Sequence, residues 1–330
     1  MTEIYGTLGP ACGDRATLES MLRAGMTGMR LNLSHCDLAD SACMIQAFHE
    51  AAKSAGTAPQ LVIDIRGPEL RLGDLDAPKA LRPGTMVVFG KNGIPVPDVV
   101  LNAVSPGCEV LLDDGKILLC VTAAGNGRAE AEVIRGGTLT GRKSIKLPGK
   151  ELHLPIVTER DVRNLRRAAE YGVTGLLQPF VHSGEELRRL RTILRENGVD
   201  RLTLFAKIET LEGAAHLADI LPQADGIVIA RGDLGNDMPL WHLPAVQKDI
   251  AAACRAAGKP FIVVTQMLAS MEHSPVPTRA EVSDIFNAVA DGAWGVMVTG
   301  ETAVGEYPVE AIRYLAATTE DARSWLAQKT

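Results

Sequence analysis

A lysine and two acidic residues stand at the ends of two apolar segments that are typical of buried strands. Lys207 and Glu209 close the segment that begins at residue 202, and Asp233 follows the segment 226–230. If these segments are neighbouring parallel strands, both carboxylates lie at one edge of the sheet, and Lys207 lies on the same strand face as Glu209. Two carboxylates can hold a divalent cation. A cation beside a lysine serves phosphoryl transfer or enolate chemistry.

The elements that must position these residues repeat along the chain. Apolar runs predict eight strands that alternate with helices, at 4–8, 28–33, 61–65, 173–177, 202–207, 226–230, 261–265 and 295–298. Helices that end in a left-handed glycine cap are predicted before Gly25, Gly56, Gly172, Gly198, Gly258 and Gly292. Eight such units predict a closed (β/α)8 TIM barrel with its site at the carboxyl ends of the strands. A doubly wound open sheet is the alternative, which the count of eight disfavours.

The alternation of strand and helix breaks once, after the third strand. The following segment is rich in Gly, Pro and Val, and it carries turn signals at Pro83-Gly84, Asn92-Gly93, Asp114-Gly115 and Gly136-Gly137. It predicts a small β-barrel domain at 73–147, inserted into a catalytic barrel formed by 1–72 and 148–330. Its position at the edge that bears the site indicates a lid.

Composition narrows the class of protein. The chain has 330 residues with 46% hydrophobic residues and a net charge of -6, which argues against nucleic acid as a partner. No apolar run is long enough to span a membrane, and the N-terminus lacks the features of a secretory signal. The six cysteines are scattered, so reduced thiols in the cytoplasm are predicted.

The chain resembles the pyruvate kinase family over nearly its whole length. The resemblance rests on nine segments in order: Thr7-Leu-Gly-Pro-Ala11, Met29-Arg-Leu-Asn-Leu-Ser-His35, Asp64-Ile-Arg-Gly-Pro-Glu-Leu-Arg71, Asp113-Asp-Gly115, Lys207-Ile-Glu209, Ala230-Arg-Gly-Asp-Leu-Gly235, Thr265-Gln-Met-Leu268, Pro277-Thr-Arg-Ala-Glu281 and Thr299-Gly-Glu-Thr302. The family has a barrel with an inserted β lid and a C-terminal α/β domain that carries the effector site and one subunit interface. Because the chain ends near the eighth barrel helix, that domain is expected to be absent and the enzyme to be effector-independent. A homodimer through the barrel stays open.

The resemblance implies a reaction and roles for the residues named first. In the family a phosphoryl group passes from phosphoenolpyruvate to ADP, and the remaining enolate is protonated to pyruvate. Glu209 and Asp233 match the ligands of Mg2+ or Mn2+, and Lys207 matches the lysine that neutralises the phosphoryl group. Gly232 and Asp233 open a turn whose amides match the site of the substrate carboxylate. Thr265 matches the threonine that touches this carboxylate on the route of protonation.

Further residues match the phosphate sites of the family. Arg30 and Arg71 match arginines at the phosphoryl groups. Lys143 matches a lid lysine that reaches the phosphates of ADP or ATP, and His35 is expected near the nucleotide.

The resemblance also implies a potassium ion. Asn32, Ser34 and Asp64, with the carbonyl of Ile65, match its ligands, and oxygen ligands suit a hard cation. Members that work without potassium carry lysine where this chain has Glu69, so use of K+ is expected. Ile65 itself departs from the threonine that potassium users commonly carry.

The chain departs most from the family after the fourth strand. Gln178-Pro-Phe-Val-His182 stands where the family usually has Ala-Ser-Phe-Val-Arg, so the substrate can differ in shape. Two other functions therefore stay open. The first is a paralogue with the same metal–enolate site that acts as an aldolase or decarboxylase of a 2-oxo acid or on another enol phosphate. The second is a non-catalytic protein that binds phosphoenolpyruvate. The same charged side chains could also serve only as helix caps and ion pairs.

Overall fold

The computed structural model describes residues 2–34, 36–67, 70–113, 115–150 and 155–329. The chain forms two compact units, Met1–Gly67 with Ile156–Thr330, and Pro68–Pro155. The strands are β1 (Glu3–Thr7), β2 (Gly28–Asn32), β3 (Gln60–Asp64), β4 (Lys79–Leu81), β5 (Met86–Gly90), β6 (Glu109–Leu112), β7 (Ile117–Gly125), β8 (Arg128–Arg135), β9 (Gly137–Leu139), β10 (Ile145–Lys146), β11 (Gly175–Gln178), β12 (Thr203–Ile208), β13 (Gly226–Ala230), β14 (Phe261–Val264) and β15 (Gly295–Met297).

The α-helices fall mainly between the strands of the first unit. They are α1 (Arg15–Arg23), α2 (Ala42–Ala55), α3 (Asp98–Ala103), α4 (Glu159–Arg167), α5 (Gly184–Glu196), α6 (Leu211–Ala215), α7 (Leu217–Ile220), α8 (Arg231–Gly235), α9 (Leu243–Ala256), α10 (Arg279–Ala290), α11 (Gly300–Ala303) and α12 (Pro308–Ala327). Short 3-10 helices lie at Ala168–Tyr171, Leu240–His242 and Ala269–Glu272. None of these helices combines the length and apolar character that a membrane crossing requires among the described residues.

The first unit is a closed barrel of eight parallel strands in the order β1-β15-β14-β13-β12-β11-β3-β2. This confirms the predicted (β/α)8 barrel. The barrel closes where β1 pairs with β15, from Glu3 opposite Gly295. Beside that seam, the Thr302 hydroxyl accepts from the Thr7 amide at 2.8 Å and donates to the Thr7 carbonyl at 2.9 Å.

Alternation along the strands explains the two buried clusters of this unit. Val62 belongs to the small cluster with Tyr5 and Phe205, whereas its neighbours Leu61 and Ile63 belong to the large cluster that includes the helices. Successive strand residues point to opposite faces, so the small cluster fills the barrel and the large one lies between sheet and helices. The next inward residue after Val62 is Asp64, the last of β3.

The ends of the helices follow the chemistry of their sequences. The six glycines predicted to end helices all have positive φ, a conformation that glycine adopts without steric cost. Capping boxes of Ser183 with Glu186 and of Thr278 with Glu281 begin α5 and α10. A further box at Thr158 with Asp161 begins α4.

The second unit has its own hydrophobic core and consists mainly of antiparallel strands. Its described strands form a five-stranded sheet, β10-β6-β7-β8-β5, and a two-stranded sheet of β4 and β9. The edge strands β5 and β10 do not pair with each other, so the described strands form two sheets where the sequence predicts a closed small barrel. The unit, Pro68–Pro155, extends beyond the predicted 73–147 on both sides, and on the N-terminal side Leu70 packs against its core and Leu72 lies within it.

Candidate active site

The two apolar segments singled out in the sequence are adjacent parallel strands. β12 pairs with β13, with Lys207 opposite Val228 and Ile208 opposite Ile229. Glu209 directly follows β12, and Asp233 lies in α8, directly after β13. Both acids therefore lie at the carboxyl end of the barrel, as parallel pairing requires.

Lys207 is held between two carboxylates. Its Nζ lies 3.1 Å from Asp64 Oδ2 and 2.9 Å from Glu209 Oε1. Burial by itself would lower the pKa of Lys207, but the charges of Asp64 and Glu209 outweigh it and raise the pKa. Lys207 is therefore a permanent cation at neutral pH. Glu209 and Asp64 are thus both ion-pair partners of this lysine.

Asp64 connects Lys207 to Arg30. The Arg30 guanidinium donates to Asp64 Oδ2 from Nε at 2.9 Å and from Nη2 at 2.7 Å, and Nη1 donates to Thr7 Oγ1 at 3.3 Å. Burial would raise the pKa of Asp64, but Lys207 and Arg30 lower it overall, so the carboxylate stays ionised. The side chain of Asp64 is 3% exposed, and those of Arg30 and Lys207 are 13% exposed. The result is a buried row of alternating charges at one end of the barrel.

Glu209 ends this row and is oriented by the loop after β11. Its Oε2 accepts from the Phe180 amide at 2.7 Å, and Phe180 adopts φ 50°, which is unusual for a residue with a side chain. The described residues contain no group of three or more His, Cys, Asp or Glu placed to hold a metal ion. Mg2+ is commonly bound by one or two carboxylates and completed by substrate phosphates and water. Glu209 and Asp233 supply two carboxylates at this end of the barrel, and their assignment to such an ion stays a prediction.

Thr265 lies on the loop after β14 in a strained conformation. Its φ is 79° and that of Gln266 is 56°. The Arg231 side chain donates to the Thr265 carbonyl from Nη2 at 2.7 Å and from Nε at 3.2 Å. A Cβ at Gly232 would lie 2.8 Å from Thr265 Cγ2, so glycine is what lets α8 approach this loop. The structure thus brings together Thr265 and Gly232, which the sequence assigned to one carboxylate site.

The residues predicted to bind K+ lie at the ends of β2 and β3. Asn32 Oδ1 accepts from the Ser34 amide at 3.0 Å, which fixes the turn after β2. Ile65 is buried and follows Asp64, whose oxygens are paired with Arg30 and Lys207. The assignment of these residues to potassium stays a prediction.

The remaining predicted phosphate ligands belong to the second unit or lie outside the described residues. Arg71 Nη1 donates to the Arg142 carbonyl at 2.9 Å, and Lys143 Nζ lies 2.7 Å from Asp113 Oδ1. His35 and Glu69 lie outside the described residues.

The segment that departs from the family forms part of the barrel rim. Gln178 is buried, and its Nε2 donates to the Ile156 carbonyl at 3.0 Å. His182 is anchored by its amide, which donates to Glu186 Oε2 at 2.8 Å. The Gln178 side chain and the His182 backbone thus both make hydrogen bonds at this rim.

Sequence reasoning assigned no role to Arg231 or Asp161. Arg231 stands directly before the predicted site residues, but its partner is 34 residues away. Asp161 is 1% exposed and accepts four hydrogen bonds, from Arg66, Gly67 and twice from Thr158. The spacing of Thr158 and Asp161 was a readable capping signal.

The fold and the site together define a class of (β/α)8 barrel proteins with a buried lysine between carboxylates at the carboxyl end of the strands. Residues 1–312 match the family model described as pyruvate kinase, barrel domain. The chain is 37% identical to the pyruvate kinase of Geobacillus stearothermophilus, an alignment that covers 100% of this chain and 59% of the relative. It is 36% identical to that of Bacillus licheniformis, over 94% of this chain and 55% of the relative. It is 36% identical to the pyruvate kinase of Aeropyrum pernix, an alignment that covers 98% of this chain and 71% of the relative.

The chain belongs to the pyruvate kinase family. It spans 59% and 55% of the first two of these relatives.

Proposed function

We propose that the protein is a phosphotransferase that moves the phosphoryl group of phosphoenolpyruvate to ADP and releases pyruvate. The observation that supports this most is the buried row Arg30–Asp64–Lys207–Glu209, which keeps two cations at the carboxyl end of the barrel. A phosphoryl group in transfer carries its negative charge on its outer oxygens, so fixed cations stabilise it in a site that excludes water.

Lys207 acts in this proposal as a fixed positive charge. Its raised pKa disfavours a role as a general base, because an ammonium group that keeps its proton cannot accept another. Asp64 pairs with both Lys207 and Arg30 and so fixes the positions of the two cations that are proposed to contact the phosphoryl group. Glu209 and Asp233 would hold Mg2+ or Mn2+, which would supply charge neutralisation at the phosphoryl and enolate oxygens.

Thr265 and Gly232 would form the site of the substrate carboxylate. After phosphoryl transfer, the enolate carbon gains a proton and becomes the methyl group of pyruvate. The backbone of Thr265 is held by the Arg231 side chain, which supports a role for its hydroxyl on the route of that proton. Arg71 and Lys143 are proposed to bind phosphates of ADP or ATP, and Asn32, Ser34, Asp64 and the Ile65 carbonyl are proposed to bind K+.

Turnover of phosphoenolpyruvate with ADP, MgCl2 and KCl, followed as pyruvate, tests the proposal. We expect Lys207→Ala to lower kcat by about 10²–10³-fold, the range seen when one donor to transition-state charge is removed. Lys259→Ala is the matched control, because Lys259 is also a partly buried lysine, but it donates to the Ala224 carbonyl at the opposite end of the barrel. Replacement of KCl by tetramethylammonium chloride tests the potassium site separately.

A wild-type protein that binds phosphoenolpyruvate in calorimetry but yields no pyruvate would contradict the kinase proposal. Deuterium exchange into the methyl group of pyruvate without any nucleotide requirement would then indicate enolate chemistry on another substrate. Binding alone, without exchange, would indicate a binding protein.

We also propose that the barrel forms a homodimer. Large apolar side chains are exposed on segments that follow the neighbouring strands β13, β14 and β15: Leu240, Trp241, Val276 and Val304. Trp241 is 79% exposed, which is costly for a side chain of this size in water. Sedimentation velocity of the wild type and of Trp241→Ser tests this, with a dimer expected only for the wild type.

A further inference from the structure

Arg231 uses all three of its side-chain nitrogens inside the protein. Nη2 and Nε donate to the Thr265 carbonyl at 2.7 and 3.2 Å, and Nη1 donates to Asp284 Oδ2 at 2.6 Å. The side chain is only 10% exposed. Two of its three nitrogens serve one backbone group, the carbonyl of Thr265. Its role is therefore to be sought in the residue that it holds.

That residue is Thr265, whose backbone does not adopt its conformation freely. Left-handed φ values in two successive residues with side chains cost free energy, and they persist only where the surroundings impose them. The Arg231 fork fixes the carbonyl of Thr265. At the other end of the loop, Glu301 Oε1 accepts from the Leu268 amide at 3.1 Å. The loop is thus held at both ends by buried side chains.

We propose that Arg231 is a positioning residue that sets the Thr265 hydroxyl at the substrate carboxylate, and that Asp284 on α10 orients Arg231. The proposal rests on the function proposed for Thr265. The fork geometry is essential, because the planar guanidinium alone can donate two hydrogen bonds to one carbonyl while a third nitrogen pairs with a carboxylate. A lysine at this position keeps the charge and the pair with Asp284, but it loses the fork.

Kinetics of Arg231→Lys and Asp284→Asn, in the wild-type and Thr265→Ala backgrounds, test this role. In the wild-type background we expect Arg231→Lys to lower kcat by about 10²-fold, the effect of misplacing a reacting group by about 1 Å. We expect Asp284→Asn to have a smaller effect in the same direction. In the Thr265→Ala background the Arg231 substitution should change kcat by less than about threefold, because residues that act as a unit are not additive.

A matched control comes from the opposite end of the barrel. Arg191 donates to the Gln223 carbonyl at 3.0 Å and to Asp225 Oδ1 at 2.8 Å, which repeats the carbonyl–arginine–aspartate pattern away from the site. Arg191→Lys should leave kcat unchanged. If Arg231→Lys lowered kcat by the same factor in the wild-type and Thr265→Ala backgrounds, the proposal would be overturned, because the effect would not depend on Thr265.

A second measurement keeps the inference separate from the proposed reaction. Amide hydrogen exchange of residues 265–268 should accelerate in Arg231→Met and not in Arg191→Met, whether or not phosphoenolpyruvate is the substrate. If the wild type turns over no phosphoenolpyruvate but exchange accelerates in Arg231→Met, the proposed reaction is wrong while the role of Arg231 in positioning Thr265 is supported. Unchanged exchange in Arg231→Met would overturn the inference itself.

Discussion

The carboxylate of Asp161 accepts a hydrogen bond from the amide of Gly67 at 3.2 Å. Gly67 is the residue at which the chain leaves the barrel unit, and the unit resumes at Ile156. The same carboxylate accepts from the Thr158 amide at 2.8 Å and from its hydroxyl at 2.7 Å. One buried side chain therefore holds the backbone on both sides of the insertion.

Asp161→Asn should loosen both junctions. An amide keeps one acceptor oxygen, so at least one buried backbone amide loses its partner, at a cost of about 1–3 kcal/mol in the free energy of unfolding. Urea denaturation of the whole chain measures this loss. Trypsin cleavage after Arg66 should also accelerate, because the Arg66 amide is bound to Asp161 Oδ1.

The control for this change is Glu281→Gln in the capping box of α10. It removes the same kind of capping carboxylate without touching residues 66–67. Equal rates of cleavage after Arg66 in the two variants would contradict a specific hold on the junction by Asp161.

Lys207→Met should destabilise the fold in a pH-dependent way. In the wild type the pKa of Asp64 is lowered, so its contribution to stability is present above its unfolded pKa and is lost as the pH falls through the folded pKa. Without Lys207 this pKa rises, and the buried carboxylate becomes costly at neutral pH. We expect the free energy of unfolding to fall by about 3–5 kcal/mol at pH 8 and by less at pH 5.

Chemical denaturation of Lys207→Met across this pH range checks the sign. Lys259→Met should show a loss that does not vary with pH, because Lys259 donates to a backbone carbonyl. A Lys207→Met penalty that is equal at pH 5 and pH 8 would argue against the charge coupling to Asp64.

His182 should titrate above its ordinary value of 6.5. Burial lowers its pKa, but the hydrogen bond to Glu186 and the charges of Glu186, Glu212 and Glu209 raise it overall. Because the folded pKa is raised, the histidine stabilises the protein below its unfolded pKa, and this contribution is lost as the pH rises through the folded pKa. An NMR titration of the His182 ring proton measures the shift, and Glu186→Gln should reduce it. A pKa at or below 6.5 in the wild type would contradict the pairing.

Gly232→Ala should strain the loop that bears Thr265, and Thr265→Ser should relieve the strain. The added Cβ would lie 2.8 Å from Thr265 Cγ2 but 3.6 Å from Oγ1, and serine lacks that methyl group. We expect a loss of about 1–3 kcal/mol for Gly232→Ala alone and most of it recovered in the double variant. Thermal unfolding of the wild type, the two single variants and the double variant gives the coupling free energy between the two positions. Additive effects of the two substitutions on stability would count against direct contact.

The barrel is predictable from sequence because its signals are local. Each strand is a run of apolar residues, and glycines such as Gly56 and Gly172 end helices through their own backbone freedom. These local signals predict the ends of β12 and β13 closely enough to assign Glu209 and Asp233 to the same end of the barrel. The buried lysine was also identified from its position on the strand.

The partners of these residues were not predictable, because they come from distant parts of the chain. Asp64 lies 143 residues from Lys207, and only closure of the barrel makes them neighbours. The left-handed backbone of Thr265 had no local signal either, since threonine does not favour that conformation. The hydrogen bonds from Arg231 to the Thr265 carbonyl depend on tertiary structure and have no signal in the local sequence.

The seam between β1 and β15 has a consequence for synthesis of the protein. Thr7 and Thr302 are 295 residues apart in sequence, so β1 cannot gain β15 as its neighbour until that whole stretch of the chain has left the ribosome. Until then β1 is an open edge of a parallel sheet, the kind of surface that pairs wrongly with other chains. A nascent chain of this protein should therefore depend on chaperones until β15 emerges.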